Sequence, residues 1–436
     1  MTAASPFSRL KALQPTPRRP LTAVRPEWDI PRGLSPDIPA GAQRLAEILG
    51  AKINSNRFGE HLGLRRWFSG PRDEESVHAV PQSPFAAAAL RLLDPNAPSC
   101  ALNLQKWLFL DTETTGIAGG TGTYPFLVGV AWWDAGGLEI EQFFMREQSE
   151  EHSLLVALAE RIAERPVLIS FNGKSFDWPL LETRYRMTRV IKPPALRAHI
   201  DFLHPARNLW RLRLGSVRLP EVEKHVLGWN RGADVMSELI PQIYFAYLRG
   251  GSPEPLVPIF LHNQMDLRGL AALATRVLAL LGDPETHGRD PLEIFGLSRI
   301  CERRGDSARA RALYEISLAG ELPTAAGRIA RRSLARLAKR DGDHALACEL
   351  WQQVLDHSRE GLEAYEQLAI YYEHRSREPY RAAALVRQAL AELREAHRLG
   401  TIAPNLYRAA RARLDKRLAR VEHKAMRASL DCLEAE

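Results

Sequence analysis

At Lys106 the hydrophobic pattern of the chain changes, and the segment beyond it restricts the fold more than any other feature. Residues 107–110, 126–133 and 138–145 are apolar runs of strand length separated by glycine-rich turns, which predicts three strands in a meander. Residues 153–163 then show the spacing of an amphipathic helix, 167–171 reads as a short buried strand, and 175–187 as a second helix. Strand and helix now alternate, so the expected class is α/β, a mixed sheet flanked by helices. After a short apolar segment at 199–202 the pattern is helical to residue 281, with loops expected at 228–233 and 250–258. Gly282-Asp283-Pro284 then closes the domain.

The flanks read differently. Residues 1–40 are rich in proline and arginine without periodic apolar positions, which predicts disorder. The first 26 residues contain no acid, but Pro6, Pro15, Pro17, Pro20 and Pro26 interrupt the helix or apolar stretch of a targeting peptide. Residues 41–103 hold two helical candidates, 42–49 and 84–93, and are expected to form a helical extension to a domain spanning 104–282. Residues 290–436 contain an internal repeat. Gly305-Asp306-Ser307-Ala308-Arg309-Ala310, followed by Leu313-Tyr314, recurs 37 residues later as Gly342-Asp343-His344-Ala345-Leu346-Ala347, followed by Leu350-Trp351. A weaker third copy keeps Ala382 and Ala384. Small residues where helices cross, with a large apolar residue one turn on, are what stacked helical hairpins need. The pattern resembles tetratricopeptide repeats at a slightly longer period, with a generic α-solenoid as the alternative; either offers a surface for a protein partner. The basic run 408–427 reads as a terminal capping helix.

The formal net charge is +7, a balance that favours polyanionic partners. Four cysteines (Cys100, Cys301, Cys348, Cys432), each more than 40 residues from the next, exclude a CxxC zinc pair and a dense disulfide framework and fit a reducing cytoplasm. The longest apolar helical stretch, 270–281, is broken by Arg276 and is shorter than the roughly 20 residues a membrane span needs.

Chemistry concentrates in three places. In Leu110-Asp111-Thr112-Glu113 the two acids are two apart on a strand, so they share a face. Such a pair repels unless a cation sits between its members, and Mg²⁺ or Mn²⁺ supplies that charge through oxygen ligands. A pair of ions about 3.5–4 Å apart can activate water and stabilise a departing oxygen. On its own an Asp-x-Glu is ordinary at a solvated strand end. The second place is Phe171-Asn172-Gly173-Lys174-Ser175-Phe176-Asp177-Trp178-Pro179, where a buried strand turns into a helix; Ser175 is expected to cap that helix and Asp177 to lie in its first turn. Leu168 stands where a phosphate loop built on Gly173-Lys174-Ser175 would need glycine. The third is His262-Asn263-Gln264-Met265-Asp266, with His262 and Asp266 one helical turn apart on one face.

In this order the three motifs resemble those of the DEDD exonuclease superfamily, and their wording is most similar to its YprB-like group of predicted ribonuclease-H-like exonucleases. The resemblance spans about residues 104–282. It rests on Asp111-Thr112-Glu113-Thr114-Thr115-Gly116 with Gly119-Gly120-Thr121-Gly122, on the 172–179 turn, on Asp201 with His204-Pro205-Ala206-Arg207, and on His262-Asn263 with Asp266. It implies that Asp111, Glu113, Asp177 and Asp266 are ligands of two Mg²⁺ or Mn²⁺ ions. It puts His262 at the general-base position, where the subclass with this spacing carries tyrosine, and Asn172 at a phosphate-orienting position. The implied activity is phosphodiester hydrolysis in DNA or RNA, from 3′ to 5′ on single-stranded ends.

Between Arg184 and Arg218 nine basic residues (Arg184, Arg186, Arg189, Lys192, Arg197, Arg207, Arg211, Arg213, Arg218) face one acid, Asp201. This predicts a positive patch for phosphates, with Lys174, Arg207 and Arg211 as substrate-binding candidates. Trp178 and Trp210 either stack on bases or belong to the core, and Asp201 is either a further ligand or a partner for Arg207. Two other functions fit the same residues: a nucleic-acid-binding scaffold whose repeats recruit a protein, and an endonuclease on the same fold.

Overall fold

The computed structural model describes residues 41–69, 84–116, 122–134, 136–288, 290–357 and 362–433. The expected disordered N-terminus, 1–40, lies outside them, as do Gly119, Gly120 and Thr121 of the glycine-rich stretch.

Seven strands form one sheet: β1 (Lys52–Asn56), β2 (Gly59–Phe68), β3 (Trp107–Thr114), β4 (Pro125–Asp134), β5 (Gly137–Phe144), β6 (Val167–Ser170) and β7 (Ala198–Asp201). Their order is β1-β2-β5-β4-β3-β6-β7. The expected meander is β3-β4-β5, antiparallel throughout, while β6 and β7 run parallel to β3. Along β3 the side chains alternate. Leu108 and Leu110 join the core beneath α3 (Glu151–Glu164) and α4 (Asp177–Thr188), together with α1 (Gly41–Leu49). Trp107 and Phe109 join the opposite core with α5 (Leu203–Leu214), α8 (Val257–Gly282) and α2 (Pro84–Leu93). The next odd positions, Asp111 and Glu113, therefore emerge on the α8 side. Pairing with β6 has by then stopped at Phe109, so one edge of β3 is left open around the two acids.

Residues 41–103 are not a helical extension. Both helical candidates form, but between them β1 and β2 make a hairpin whose second strand pairs with β5 from Leu62↔Phe144 to Phe68↔Leu138. Burial explains why pattern alone missed it: His61, Leu62, Gly63 and Leu64 are buried in succession rather than alternately, and exposed Arg65, Arg66 and half-exposed Trp67 follow them.

The segment between the second and third site motifs is helical but broken: α6 (Leu219–Val222) runs into a single π turn at Glu223–Leu227, and α7 (Ile240–Leu248) follows the loop at 228–236. After α9 (Pro284–His287) come α10 (Pro291–Arg303), α11 (Ser307–Ala319), α12 (Thr324–Arg340), α13 (His344–His357), α14 (Leu362–His374), α15 (Pro379–Arg398) and α16 (Pro404–Leu433). They pair as hairpins. The repeated Gly-Asp marks the turns: Gly305 and Gly342 are left-handed (φ +80° and +84°), and the aspartate after each accepts a backbone N–H from the next helix. In the third turn Arg377 takes the left-handed position (φ +58°), which is why that copy is hard to read in sequence. The basic terminal helix α16 clamps Glu373 of α14 through Arg417, Arg420 and Lys424. Burial works against the charged form of Glu373, yet the Arg420 and Lys424 hydrogen bonds hold its carboxyl down at about 2.

The expected boundary at 282–290 is a break in sequence but not in packing. Phe295, Leu297 and Ile300 of α10 share a core with Phe109, Leu209 and Leu270. Trp210 is fully buried and donates to Glu293 Oε1 at 2.6 Å, which removes it from any base-stacking role. Arg276 reaches the same glutamate, and Arg304 caps the carbonyls of Leu92 and Leu93. Uncovering each large apolar side chain costs about 1.5–3 kcal/mol, and a whole domain holds only about 5–15 kcal/mol. A chain ending after Asp283 is therefore expected to be insoluble or to melt far below the full-length protein. Equal melting temperatures for the two would show that the helical array is an independent unit. Among the described residues no helix is long and apolar enough to cross a membrane.

Candidate metal centre

Asp111 is held by a chain of amides that runs from the sheet to α8. Asn263 donates through Nδ2 to Asp111 Oδ2 (2.8 Å) and more loosely to its carbonyl (3.3 Å). Gln142 of β5 donates to Asn263 Oδ1 (2.8 Å), and Gln264 donates to Gln142 Oε1 (2.7 Å). All three amides are buried. They fit because position 129 on β4 is glycine: a Cβ there would lie 2.0 Å from Asn263 Oδ1.

Asp177 arrives by another route. Asp201, at the end of β7, accepts the N–H groups of Asn172 (2.8 Å) and Leu203 (3.0 Å) on one oxygen and that of Lys174 (3.0 Å) on the other. This fixes the turn after β6, with Asn172 left-handed at φ +71°. Asp201 is thus a brace for the backbone rather than a partner for Arg207, and its charge adds to the repulsion on Asp177. The turn delivers Asp177 to Thr112, whose hydroxyl donates to Asp177 Oδ1. Ser175 does not cap α4. Its N–H bonds to Asn172 O and that of Trp178 to Gly173 O, so residues 173–176 are used up in the turn and the helix starts at Asp177 behind an uncapped Phe176.

Asp266 and His262 come from the middle of α8. His262 Nδ1 lies 2.7 Å from Asp234 Oδ1, while Nε2 points at Asp266 Oδ2 (3.5 Å) and Glu113 Oε1 (3.9 Å). One atom from each of Glu113, His262 and Asp266 lies within 4.8 Å of the other two. Behind them Arg231 forks to Glu223, Asp234 and Asp266. Glu223, Arg231 and Asp234 escaped the sequence reading, which quoted Asn263 within the third motif without giving it a role. Glu223 opens the π turn, and Arg231 and Asp234 lie in the loop after it, outside every motif; a pair of opposite charges in that loop is the one trace they leave.

The acids raise one another's proton affinity. Burial, and then the charges of Asp266, Glu113 and Asp177, push the Asp111 carboxyl well above the carboxylate range. Burial drives Glu113 up to about 8 against the pull of His262. Asp177 rises to about 6, again through burial, with the Thr112 hydrogen bond opposing. Burial disfavours the charged imidazole of His262, but the Asp234 hydrogen bond and the charges of Asp266 and Glu113 outweigh it and push it up to about 9. A clustered donor set of this kind fits a divalent cation, which would offset the repulsion.

The same shifts fix the sign of a pH effect. A group whose folded pKa lies above its unfolded value contributes stability that is lost as pH rises through the folded value. For Asp177 the loss runs from about 4 to 6, for Glu113 from about 4.5 to 8, and for His262 from about 6.5 to 9. In EDTA the melting temperature should therefore fall between about pH 5 and 8, and Mn²⁺ should restore more of it at the higher pH. A profile unchanged in Glu113→Gln would show that Glu113 does not carry the loss.

Of the other sequence candidates, Lys174, Arg207 and Arg211 are exposed. Arg184 does not belong to the positive patch: it is buried in an ion pair with Glu151. Trp178 packs against the α3-side core.

The family model described as the RNase_H superfamily matches residues 108–278, from the second residue of β3 nearly to the end of α8. These residues form a ribonuclease-H-superfamily domain. The chain is also similar to "Uncharacterized protein YprB" of Bacillus subtilis (strain 168), 29% identical over 301 residues, which is 66% of this chain and 70% of that protein. That similarity is longer than the ribonuclease H domain, so it includes flanking sequence. A weaker likeness in fold, at TM-score 0.32 and 14% identity, is to a family B DNA polymerase from the archaeon Pyrobaculum calidifontis; it covers 46% of this chain and 29% of the polymerase.

Proposed function

We propose that the ribonuclease H domain is a metal-dependent nuclease that shortens single strands from the 3′ end, with Asp111, Glu113, Asp177 and Asp266 as ligands of two Mg²⁺ or Mn²⁺ ions. The observation that carries this reading is the meeting of acids from β3, α4 and α8 in one half-buried cluster, where without cations they repel. When bound, such ions polarise the scissile phosphate and stabilise the leaving oxygen. The chain's own part is to hold the acids in place: Asn263 fixes Asp111, Thr112 and the Asp201-braced turn fix Asp177, and Arg231 fixes Asp266. Exposed Lys174, Arg207 and Arg211 supply positive charge to the phosphate backbone, and Asn172, in the left-handed turn that precedes Asp177, takes the phosphate-orienting role. The repeats offer a surface for a protein partner, and the protein is read as cytoplasmic.

Incubation of 5′-labelled linear and of circular single-stranded DNA and RNA with Mg²⁺ or Mn²⁺ tests the proposal. Progressive shortening of the linear strand with its label retained, and an intact circle, are expected. A cut circle would make the protein an endonuclease; binding without cleavage would make it a scaffold.

A further inference from the structure

The contacts of His262 go beyond what a general base requires. Its ring is buried, with 7% of the residue exposed, and both nitrogens are committed in direction. Nδ1 faces Asp234 Oδ1 at 2.7 Å, and Asp234 is itself fixed by Arg231 at 3.3 Å. Nε2 faces two carboxylate oxygens, Asp266 Oδ2 at 3.5 Å and Glu113 Oε1 at 3.9 Å, and with one proton kept on Nδ1 by Asp234 the loss of the other frees Nε2 to bind a cation. Nε2 and one oxygen from each of the two carboxylates lie within 4.8 Å of one another, close enough to share a cation. Octahedral bonds of about 2.1 Å place neighbouring ligand atoms about 3 Å apart, so a small contraction of this triangle closes it around an ion. A carboxylate on the far nitrogen of an imidazole is also the usual arrangement behind a metal-ligating histidine, where it sets the tautomer and the orientation of the ring.

We propose that His262 is a metal ligand through Nε2, that Asp234 is its positioning residue, and that one cation site is a mixed set of His262, Glu113 and Asp266. This rests on the metal-dependent reading above but replaces the general-base role that the motif resemblance implies for His262. It also sets the metal class. Imidazole suits transition-metal ions, whereas Mg²⁺ prefers oxygen ligands, so the site should favour Mn²⁺ over Mg²⁺. The preference belongs to His262, because the carboxylates alone would accept either ion.

Nitrogen coordination can be read directly on the full-length wild-type protein loaded with Mn²⁺, by pulsed electron paramagnetic resonance, with no variant required. The expected result is a directly bound ¹⁴N coupling that disappears in His262→Ala. In equilibrium titrations His262→Ala should lose at least about 10-fold in Mn²⁺ affinity and much less in Mg²⁺ affinity, and Asp234→Asn should weaken Mn²⁺ by about 10-fold. Mn²⁺ that binds in an Asp111-dependent way but shows no nitrogen coupling overturns the His262 assignment and leaves the carboxylate reading intact. Absence of any Asp111-dependent binding of Mn²⁺ or Mg²⁺ overturns both.

Discussion

Arg231→Ala is expected to lower the stability of the metal-free protein by about 3–5 kcal/mol, the usual cost of leaving a buried charge without its partner. The guanidinium is itself nearly buried, at 9% side-chain exposure, and its forked donors reach Glu223, Asp234 and Asp266 together. Glu223 is more buried still, at 2%, and lies tight against α8, where a Cβ on Gly269 would be 1.7 Å from its Oε1. It cannot swing out to water. Burial already pushes its carboxyl upward even with Arg231 bound, so removal of the arginine leaves it with no compensating charge. A lysine could satisfy one acid but not the fork. Urea denaturation in EDTA measures the effect; a loss below about 1 kcal/mol, the range of exposed ion pairs, would show that the network is loose in solution.

Asp111→Asn should separate folding from function. The asparagine keeps the shape of the side chain and can still accept the Asn263 N–H through its amide oxygen. It removes one charge from a group that Asp266, Glu113 and Asp177 all repel. The metal-free variant is therefore expected to be at least as stable as wild type at neutral pH, to lose most of the melting-temperature rise that Mn²⁺ gives, and to cleave at least about 10³-fold more slowly. That last figure corresponds to the several kcal/mol that positioned metal ions contribute to such reactions. A less stable metal-free variant would mean that Asp111 serves the fold rather than a cation.

What was legible in the sequence came from period. Alternation along a strand put Asp111 and Glu113 on one face, and the helical turn put His262 beside Asp266; both relations hold in three dimensions. The strand-to-helix change located the Asp177 turn, although not its bonding, because the turn is braced by Asp201, nearly thirty positions away. Long-range partners left little local trace. Gln142 reaches Asn263 across 121 positions, and Arg231 reaches Asp266 from a loop whose sequence has neither period nor motif. The β1–β2 hairpin was missed for a related reason: its pairing with β5 supplies the order that its own pattern, which does not alternate, fails to declare. The boundary after Asp283 was read from Gly-Asp-Pro chemistry, which reports a turn but not that α10 beyond it packs back on α5 through Trp210 and Glu293.

Single-turnover degradation of a 5′-labelled single strand at saturating Mn²⁺, wild type against Asp177→Asn, tests the metal-dependent chemistry at these acids most directly. Asp177 lies on a different element from Asp111 and Glu113 and meets them only if the cluster forms as described. The expected result is removal of 3′ residues by wild type, abolished by EDTA and absent in Asp177→Asn. Equal rates in the two proteins, or no degradation by wild type with either Mn²⁺ or Mg²⁺, would contradict it.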